Sequence, residues 1–294
     1  KTMWLKIALI CVVLSFLIFD NVCASFRGRI VNGTDAVNGE FPFVVSLRRL
    51  SSGRHSCGAS LINHAWVLTA AHCVARALPT MLNIQFGSTD INPNSTDNLV
   101  NVSKIFVHEG YAPNNQLEHD IALLKLTEPI SFTDDVQAVR LPEARQITPG
   151  NETAILIGWG LNATGGTIQT ELQKVNLQTF TDEECSERHL TQMHETNICA
   201  GVPEGGKGQC SGDSGGPLLV NGTQVGIVSW SRKPCTVPPY PGVFTEVSAY
   251  IDWILKTIGD NGDDESAESL EELTSGNLII VYRRNPLFHK QHVL

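Results

Sequence analysis

The chain has too little positive charge to be read as a nucleic-acid binder. Its 21 Lys and Arg stand against 30 Asp and Glu, for a formal net charge of −9, whereas phosphate backbones are held by basic faces. It also lacks an apolar run long enough to cross a membrane. The longest candidate, Ile7 to Phe19, is broken only by Ser15, yet falls short of the ~20 residues a spanning helix needs. No repeat of fixed period occurs, so solenoid architectures are excluded. The cysteines form neither a CxxC pair nor a Cys/His cluster with zinc spacing, which excludes a zinc motif of that kind.

What the chain does have is an ordinary globular composition. Of 294 residues, 42% are hydrophobic, enough to bury the core of one large or two small domains. Residues 1–24 read as a secretory signal: Lys6 supplies charge, Ile7 to Phe19 the apolar stretch, and Val22-Cys23-Ala24 a small-residue cleavage site. Met3 is the first residue able to initiate translation. Two of the eight cysteines lie in that leader. The other six, Cys57, Cys73, Cys185, Cys199, Cys210 and Cys235, suit disulfides in an exported chain, although six cysteines alone allow 15 pairings. Asn-X-Ser/Thr sequons at Asn32, Asn94, Asn101, Asn151, Asn162 and Asn221 are glycan candidates, and fewer than all of them are expected to be used.

Short β-like runs recur between residues 43 and 247, among them Phe43–Leu47, Trp66–Thr69, Ile105–Val107, Ile121–Leu126, Ala154–Ile157, Leu172–Phe180, Gln224–Trp230 and Val243–Val247. Gly, Pro and Asn punctuate them, the pattern of an all-β sandwich or barrel. Asn221-Gly222 marks a tight hairpin. One helix is expected, with Val247, Ile251, Ile254, Leu255 and Ile258 on one face and Ser248 as its cap. From Gly259 the composition turns acidic and poor in aromatics, so 259–294 reads as a disordered extension.

The most informative stretch is Gly212-Asp213-Ser214-Gly215-Gly216-Pro217. Glycines on either side of a serine permit a sharp turn that presents its hydroxyl. A serine hydroxyl needs a base to become a nucleophile. Thr69-Ala70-Ala71-His72-Cys73 offers an imidazole, which titrates near neutral pH, and Asp120-Ile121-Ala122-Leu123-Leu124 offers a carboxylate to orient it. The amides of Gly212 and Ser214 could receive a developing oxyanion. His119, beside Asp120, is a second histidine that competes weakly for the role of base.

These three segments, in the order His, Asp, Ser, resemble the chymotrypsin-like family of secreted serine proteases. The resemblance runs from Ile30 to about Ile258 and takes in Trp66, Gly158-Trp159-Gly160, Cys199-Ala200-Gly201 and Ser229-Trp230. It implies an all-β fold of two six-stranded antiparallel β-barrels with the active site in the cleft between them, and a C-terminal helix. His72, Asp120 and Ser214 would be catalytic, and Gly212 and Ser214 would form the oxyanion hole. The disulfides would be Cys57–Cys73, Cys185–Cys199 and Cys210–Cys235.

The resemblance further implies a zymogen cut after Arg29, with 25–29 as activation peptide and 30–258 as protease domain. The new amine of Ile30 would then pair with Asp213. The substrate pocket would be formed by Gly208, Ser229, Trp230, Ser231 and Gly242. Gly208 stands where trypsin-like members carry Asp, so the expectation is a large apolar or aromatic substrate side chain, then smaller aliphatics, and not Lys or Arg. Ser231 departs from the Gly usual in chymotrypsin-like members. No cofactor is expected, and no metal, since Ser88–Leu99 lacks the paired glutamates of calcium-binding relatives. Expected partners are protein or peptide substrates, an Arg-specific activating protease and protein inhibitors; nucleic acid and membrane are not expected, and the chain should be a monomer. The rival readings are an inactive homologue acting as a binding module, a regulatory protease devoted to one partner, and a structural glycoprotein; the complete His–Asp–Ser set argues against the first.

Overall fold

The computed structural model describes residues 30–261. The expected signal, Arg29 and the tail beyond Asn261 lie outside the described residues. Within them run thirteen strands: β1 (Thr34–Asp35), β2 (Val44–Arg49), β3 (Arg54–Asn63), β4 (Trp66–Thr69), β5 (Leu82–Gln85), β6 (Leu99–Val107), β7 (Ala122–Leu126), β8 (Thr153–Gly158), β9 (Gln173–Phe180), β10 (Asn197–Gly201), β11 (Pro217–Val220), β12 (Thr223–Trp230) and β13 (Gly242–Glu246). Helices are few: α1 (Ala71–Val74), α2 (Asp182–His189) and α3 (Ile251–Asn261), the last entered through a 3-10 turn at Val247–Tyr250.

The strands close into two six-stranded antiparallel barrels. The first runs β2-β3-β4-β7-β6-β5 and closes on β2. The second runs β9-β10-β13-β12-β11-β8 and closes through β8 on β9, with β1 added alongside β9.

Alternation along each strand explains why several strands read as unbroken apolar runs. In β7 and the residue before it, Ala122, Leu124 and Leu126 face the interior of the first barrel, while Ile121 and Leu123 face a second cluster between the barrels. β4 divides likewise, Val67 inward and Trp66 and Leu68 outward. In the second barrel, Leu218 and Val220 point inward and Leu219 to the shared cluster. A strand buried on both faces has no polar side to show. Ile251, Ile254 and Ile258 of α3 join the shared cluster, so the C-terminal helix seals the seam between barrels rather than either barrel alone.

Most of the expected runs are strands, and Asn221-Gly222 forms the hairpin, with φ of 49° and 77° between the paired residues Val220 and Thr223. Four strands, β1, β3, β5 and β10, and two helices, α1 and α2, were not expected. β3 begins Arg54-His55-Ser56-Cys57-Gly58, small and polar residues with no β signature. β5 and β10 are short. The α2 helix is polar almost throughout and owes its start to a capping box, Thr181 Oγ1 accepting from Glu184 N while the Glu184 carboxylate accepts from Thr181 N. Ser248 does not cap the last helix. It lies inside the 3-10 turn, and α3 continues past Gly259 to Asn261. All three expected disulfides are formed, closing separations of 16, 14 and 25 residues.

One buried cation holds the first barrel's outer loop. Arg48 is 1% exposed. It donates to the carbonyls of Gly53 (2.7 Å), Pro93 (2.9 Å) and Ser95 (3.4 Å) and to Gln85 Oε1 (3.0 Å). The 86–98 loop thus has its inward carbonyls taken by a guanidinium. Arg48→Met should strip these acceptors of their donor and cost about 3 kcal/mol. In a domain of this size that lowers Tm by roughly 6–12 °C, and early proteolytic nicking should appear between residues 88 and 98. Melting curves with and without EDTA check both the loss and the expectation that chelation leaves the parent protein unchanged.

Candidate active site

α1 follows β4 immediately, and this abrupt change of direction puts His72 at the rim of the first barrel, next to the Cys57–Cys73 bridge. Asp120 lies on the short connection before β7 and is fully buried. Its Oδ1 accepts from the His72 backbone N–H at 2.8 Å and its Oδ2 from His72 Nδ1 at 2.7 Å. The carboxylate therefore holds both backbone and ring. A carboxylate acceptor places the proton on Nδ1 and leaves Nε2 with its lone pair. Ser229, on β12 of the second barrel, adds a third donor to Asp120 Oδ2 at 2.6 Å. A metal is not suited to the neighbouring Cys57, His72 and Cys73, because both sulfurs are engaged in their disulfide.

His119 is turned away from this arrangement. Its Nδ1 meets the Tyr250 hydroxyl at 2.8 Å and its Nε2 lies 3.7 Å from Glu118.

Ser214 is delivered by a turn that only glycine allows. Gly212 has φ +98° and Gly215 φ +78°. A Cβ on Gly215 would lie 2.2 Å from Thr69 Oγ1 and 2.5 Å from the Gly58 carbonyl. That contact presses the serine turn against the strand end leading into His72. Gly58 N–H donates to the Ser214 carbonyl at 2.8 Å, and Gly215 N–H to the Val228 carbonyl at 2.8 Å, next to Ser229. His72, Asp120, Ser214 and Ser229 are thus gathered at one place. Among the described residues no hydrogen bond yet links Ser214 Oγ to His72 Nε2. The N–H groups of Gly212 and Ser214 are likewise not spent on any acceptor among the described residues, so both are available to an incoming oxyanion.

Two residues outside the sequence expectation complete the support. His55 Nε2 donates to the Gly212 carbonyl at 2.9 Å, while its Nδ1 accepts from Ser46 Oγ at 2.8 Å. Burial lowers His55 to about 4, which keeps the ring neutral and in this tautomer. No periodicity or motif marks His55 in the sequence.

The second addition is Gln209. Its side chain crosses the pocket, donating from Nε2 to the Trp230 carbonyl at 2.6 Å. A Cβ on Gly242 would come within 2.9 Å of its carboxamide. Gly208, Ser231 and Gly242 line the cavity as expected, with Lys207, Thr236 and Tyr240 beside them. Ser229 and Trp230 are not in that lining; Ser229 turns to Asp120, and the Trp230 ring packs against His189. Gln209, which the sequence reading left out, stands among the cavity's lining residues.

Asp213 is fully buried beneath the turn. Gly160 N–H donates to Oδ1 (2.8 Å) and Cys210 N–H to Oδ2 (2.9 Å). Gly158 and Gly160 lie so near that a Cβ on either would approach Asp213 oxygens within 2.4 and 2.2 Å, which explains the Gly-Trp-Gly sequence. Burial raises the carboxyl to about 7, against the two amide hydrogen bonds and the distant Lys233. Ile30 is buried in the second barrel's core, and the next residue, Val31, bridges to Gly208.

Comparison with known proteins agrees with this architecture. The trypsin family model matches residues 30–254. Trypsin-1 of Astacus astacus is 42% identical over 236 residues, covering 76% of this chain and 98% of that protein. Trypsin II-P29 of Gallus gallus is 36% identical over 231 residues, covering 78% and 89%. With two closed barrels, a buried Asp120 bound to His72, a serine set in a glycine turn, and these matches, the chain belongs to the trypsin family and is a serine endopeptidase.

Proposed function

We propose that Ser214 is the nucleophile of this endopeptidase, His72 its general base and acid, and Asp120 the group that orients and stabilises the imidazolium. The observation that carries the reading is the double grip of Asp120 on His72, through its backbone N–H and its Nδ1, at the strand end against which the serine turn is pressed. In the reaction His72 takes the Ser214 proton as Oγ attacks the scissile carbonyl. The Gly212 and Ser214 amides receive the oxyanion. His72 then protonates the leaving amine, and water hydrolyses the acyl-enzyme by the same path. The substrate backbone would pair with Ser229–Ser231 as an added strand.

The chain is proposed to be exported as a zymogen. Residues 1–24 would be removed as a signal, cleavage after Arg29 by an Arg-specific protease would free Ile30, and the extension expected from Gly259 would be a tail without catalytic role beyond the end of α3 at Asn261. Three disulfides fit an oxidising compartment. Exposed Asn94, Asn101, Asn151 and Asn221 are the sequons best placed for glycans. Protein substrates and protein inhibitors are the proposed partners of a monomer. The relatives are trypsins, which prefer Lys or Arg, and no relative supports the apolar preference expected from the sequence. The pocket itself has Gly208 at its base and no acidic side chain in its lining, so we read it as neutral.

Ser214→Ala should lower kcat/KM by roughly 10⁴–10⁶ and abolish labelling by a small fluorophosphonate; retained turnover would remove Ser214 from the mechanism. A second prediction concerns Asp213. Its pKa is raised above the unfolded value of 3.8 to about 7, so the folded chain binds more protons than the unfolded chain between these values. Its contribution to stability is therefore present below about pH 4 and lost as pH rises through about 7. An amine on Ile30 would compensate that loss. Arg29→Gln should yield an inert protein whose Tm falls between pH 4 and 8 by more than that of the cut enzyme. Activity of the cut enzyme should decline above pH ~8 as the amine loses its proton. Calorimetry and rate–pH profiles of the two forms test this, and full activity of Arg29→Gln without a new terminus would overturn it.

A further inference from the structure

We infer that the acidic stretch 263–272 of this chain docks on one end of its own first barrel, where Lys104, Arg49 and Arg54 flank an apolar patch of Leu50, Leu78 and Met81. The stretch itself lies outside the described residues. The surface that receives it, and the point from which the chain sets out, lie within them.

The surface is built from like charges set side by side. Arg49 on β2 is directly opposite Arg54 on β3, and Lys104 on β6 is directly opposite Lys125 on β7. Like charges so placed repel. Arg49, Arg54 and Lys104 are exposed, and none of the three has an ion-pair partner among the described residues. Between the two pairs lies the apolar part. Leu78 and Met81 bound the 3-10 turn Pro79–Met81 that leads into β5, and the Leu50 N–H donates to the Met81 carbonyl at 2.9 Å. Leu50, Leu78 and Met81 are 49%, 63% and 48% exposed. Single exposed apolar side chains need no explanation, but a joined group rimmed by one sign of charge marks an interaction site. Strand order around the barrel, β7-β6-β5-β2-β3, sets these residues in one row: Lys125, Lys104, Met81, Leu50 with Arg49, then Arg54.

The occupant follows from where the chain leaves α3. Lys125 Nζ donates to the carbonyl of Asn261, the last residue of that helix, at 2.8 Å. The continuing chain therefore starts beside the first cation pair of the row. Neighbouring strands stand ~4.8 Å apart, so three steps carry it from β7 to β2 over about 14 Å. The eleven residues 263–273, fully extended, reach about 36 Å, more than the row requires. They carry six acids, Asp263, Asp264, Glu265, Glu268, Glu271 and Glu272, no Lys or Arg, and two leucines, Leu270 and Leu273. Acids and leucines thus come in the mixture that the row of cations and apolar groups complements. A lone exposed ion pair is worth little. A tethered segment, however, meets the surface at a high effective concentration, so a few such pairs suffice to hold it. A second copy would have to displace a stretch already anchored at the edge of the row.

The test uses the full chain at low ionic strength, treated with a small fluorophosphonate so that it does not digest itself. A carbodiimide, which joins amines to adjacent carboxylates, should link Lys104 to the acids at 265–272 in preference to Lys174 or Lys207 of the second barrel. Salt at 1 M, where the Debye length shrinks to ~3 Å, should abolish that link. A Glu-specific protease should cut within 265–272 about tenfold faster when Arg49→Gln, Arg54→Gln and Lys104→Gln are combined, since three weak ion pairs are then lost together. Arg188→Gln, a cation removed elsewhere on the surface, should leave the rate unchanged. Absence of the Lys104 link, or equal cutting of parent and triple variant, would overturn the inference. In a mixture of isotopically light and heavy protein, links found only between copies would assign the surface to a second molecule and overturn it too. The link is read on the parent protein, so a variant that fails to fold does not shelter the inference.

Discussion

The structure turns on the buried carboxylate of Asp120. It belongs to the first barrel, accepts twice from His72 of that barrel, and accepts from Ser229 of the second. Its own carbonyl accepts from Thr245 on β13, again across the seam. A charge taken out of water costs several kcal/mol unless donors replace the lost hydration. Here three donors do so, two from one barrel and one from the other. The relative placement of the barrels and the tautomer of His72 are thus set by the same hydrogen bonds. The apolar cluster of Trp66, Ile121, Leu123, Ile227 and the α3 isoleucines surrounds the seam, excludes water from it and strengthens those bonds.

Asp213 presents the opposite solution to the same problem. It is equally buried, but it has only two amide donors and no ion-pair partner among the described residues. Its raised pKa is the direct consequence. The two donors, Gly160 and Cys210, draw the carboxylate down and away from the serine turn. The Gly212 and Ser214 amides are left unspent as a result, with His55 holding the Gly212 carbonyl on the far side. Asp213 thus stands between Gly212 and Ser214 in the chain while its carboxylate is held by Gly160 and Cys210.

What could be read beforehand follows from how each feature is encoded. His72 and Ser214 stood out because each sits among small residues, Asp120 because it precedes an apolar run, and all three because their order resembles a known family. The strands buried on both faces were legible as apolar runs. β3 was not, since its buried residues include the small Cys57, Gly58 and Ala59, and Gly58 is buried by close approach of the Gly216 backbone rather than by side-chain volume. α2 was missed because its polar face gives no periodic signal, although Thr181 and Glu184 at capping spacing were there to be seen. His55 has no local signal at all. Its role arises only when β3 is brought against residue 212, over a separation of 157 residues.

The pocket shows the limit of reading a site one position at a time. Gly208 puts no side chain, and so no charge, at its own position. It does not show what occupies the volume that the missing side chain leaves. That depends on Gln209, whose direction is fixed by a carbonyl twenty-one residues away and by the absence of a Cβ on Gly242. Each of the three residues is unremarkable alone. With Gly242 enlarged, the carboxamide would be expelled; with Trp230 displaced, it would rotate; with Gly208 replaced by an acid, a charge would stand beside it. The space beside Gly208 is thus set by Gln209, Trp230 and Gly242 together and not by any one of them.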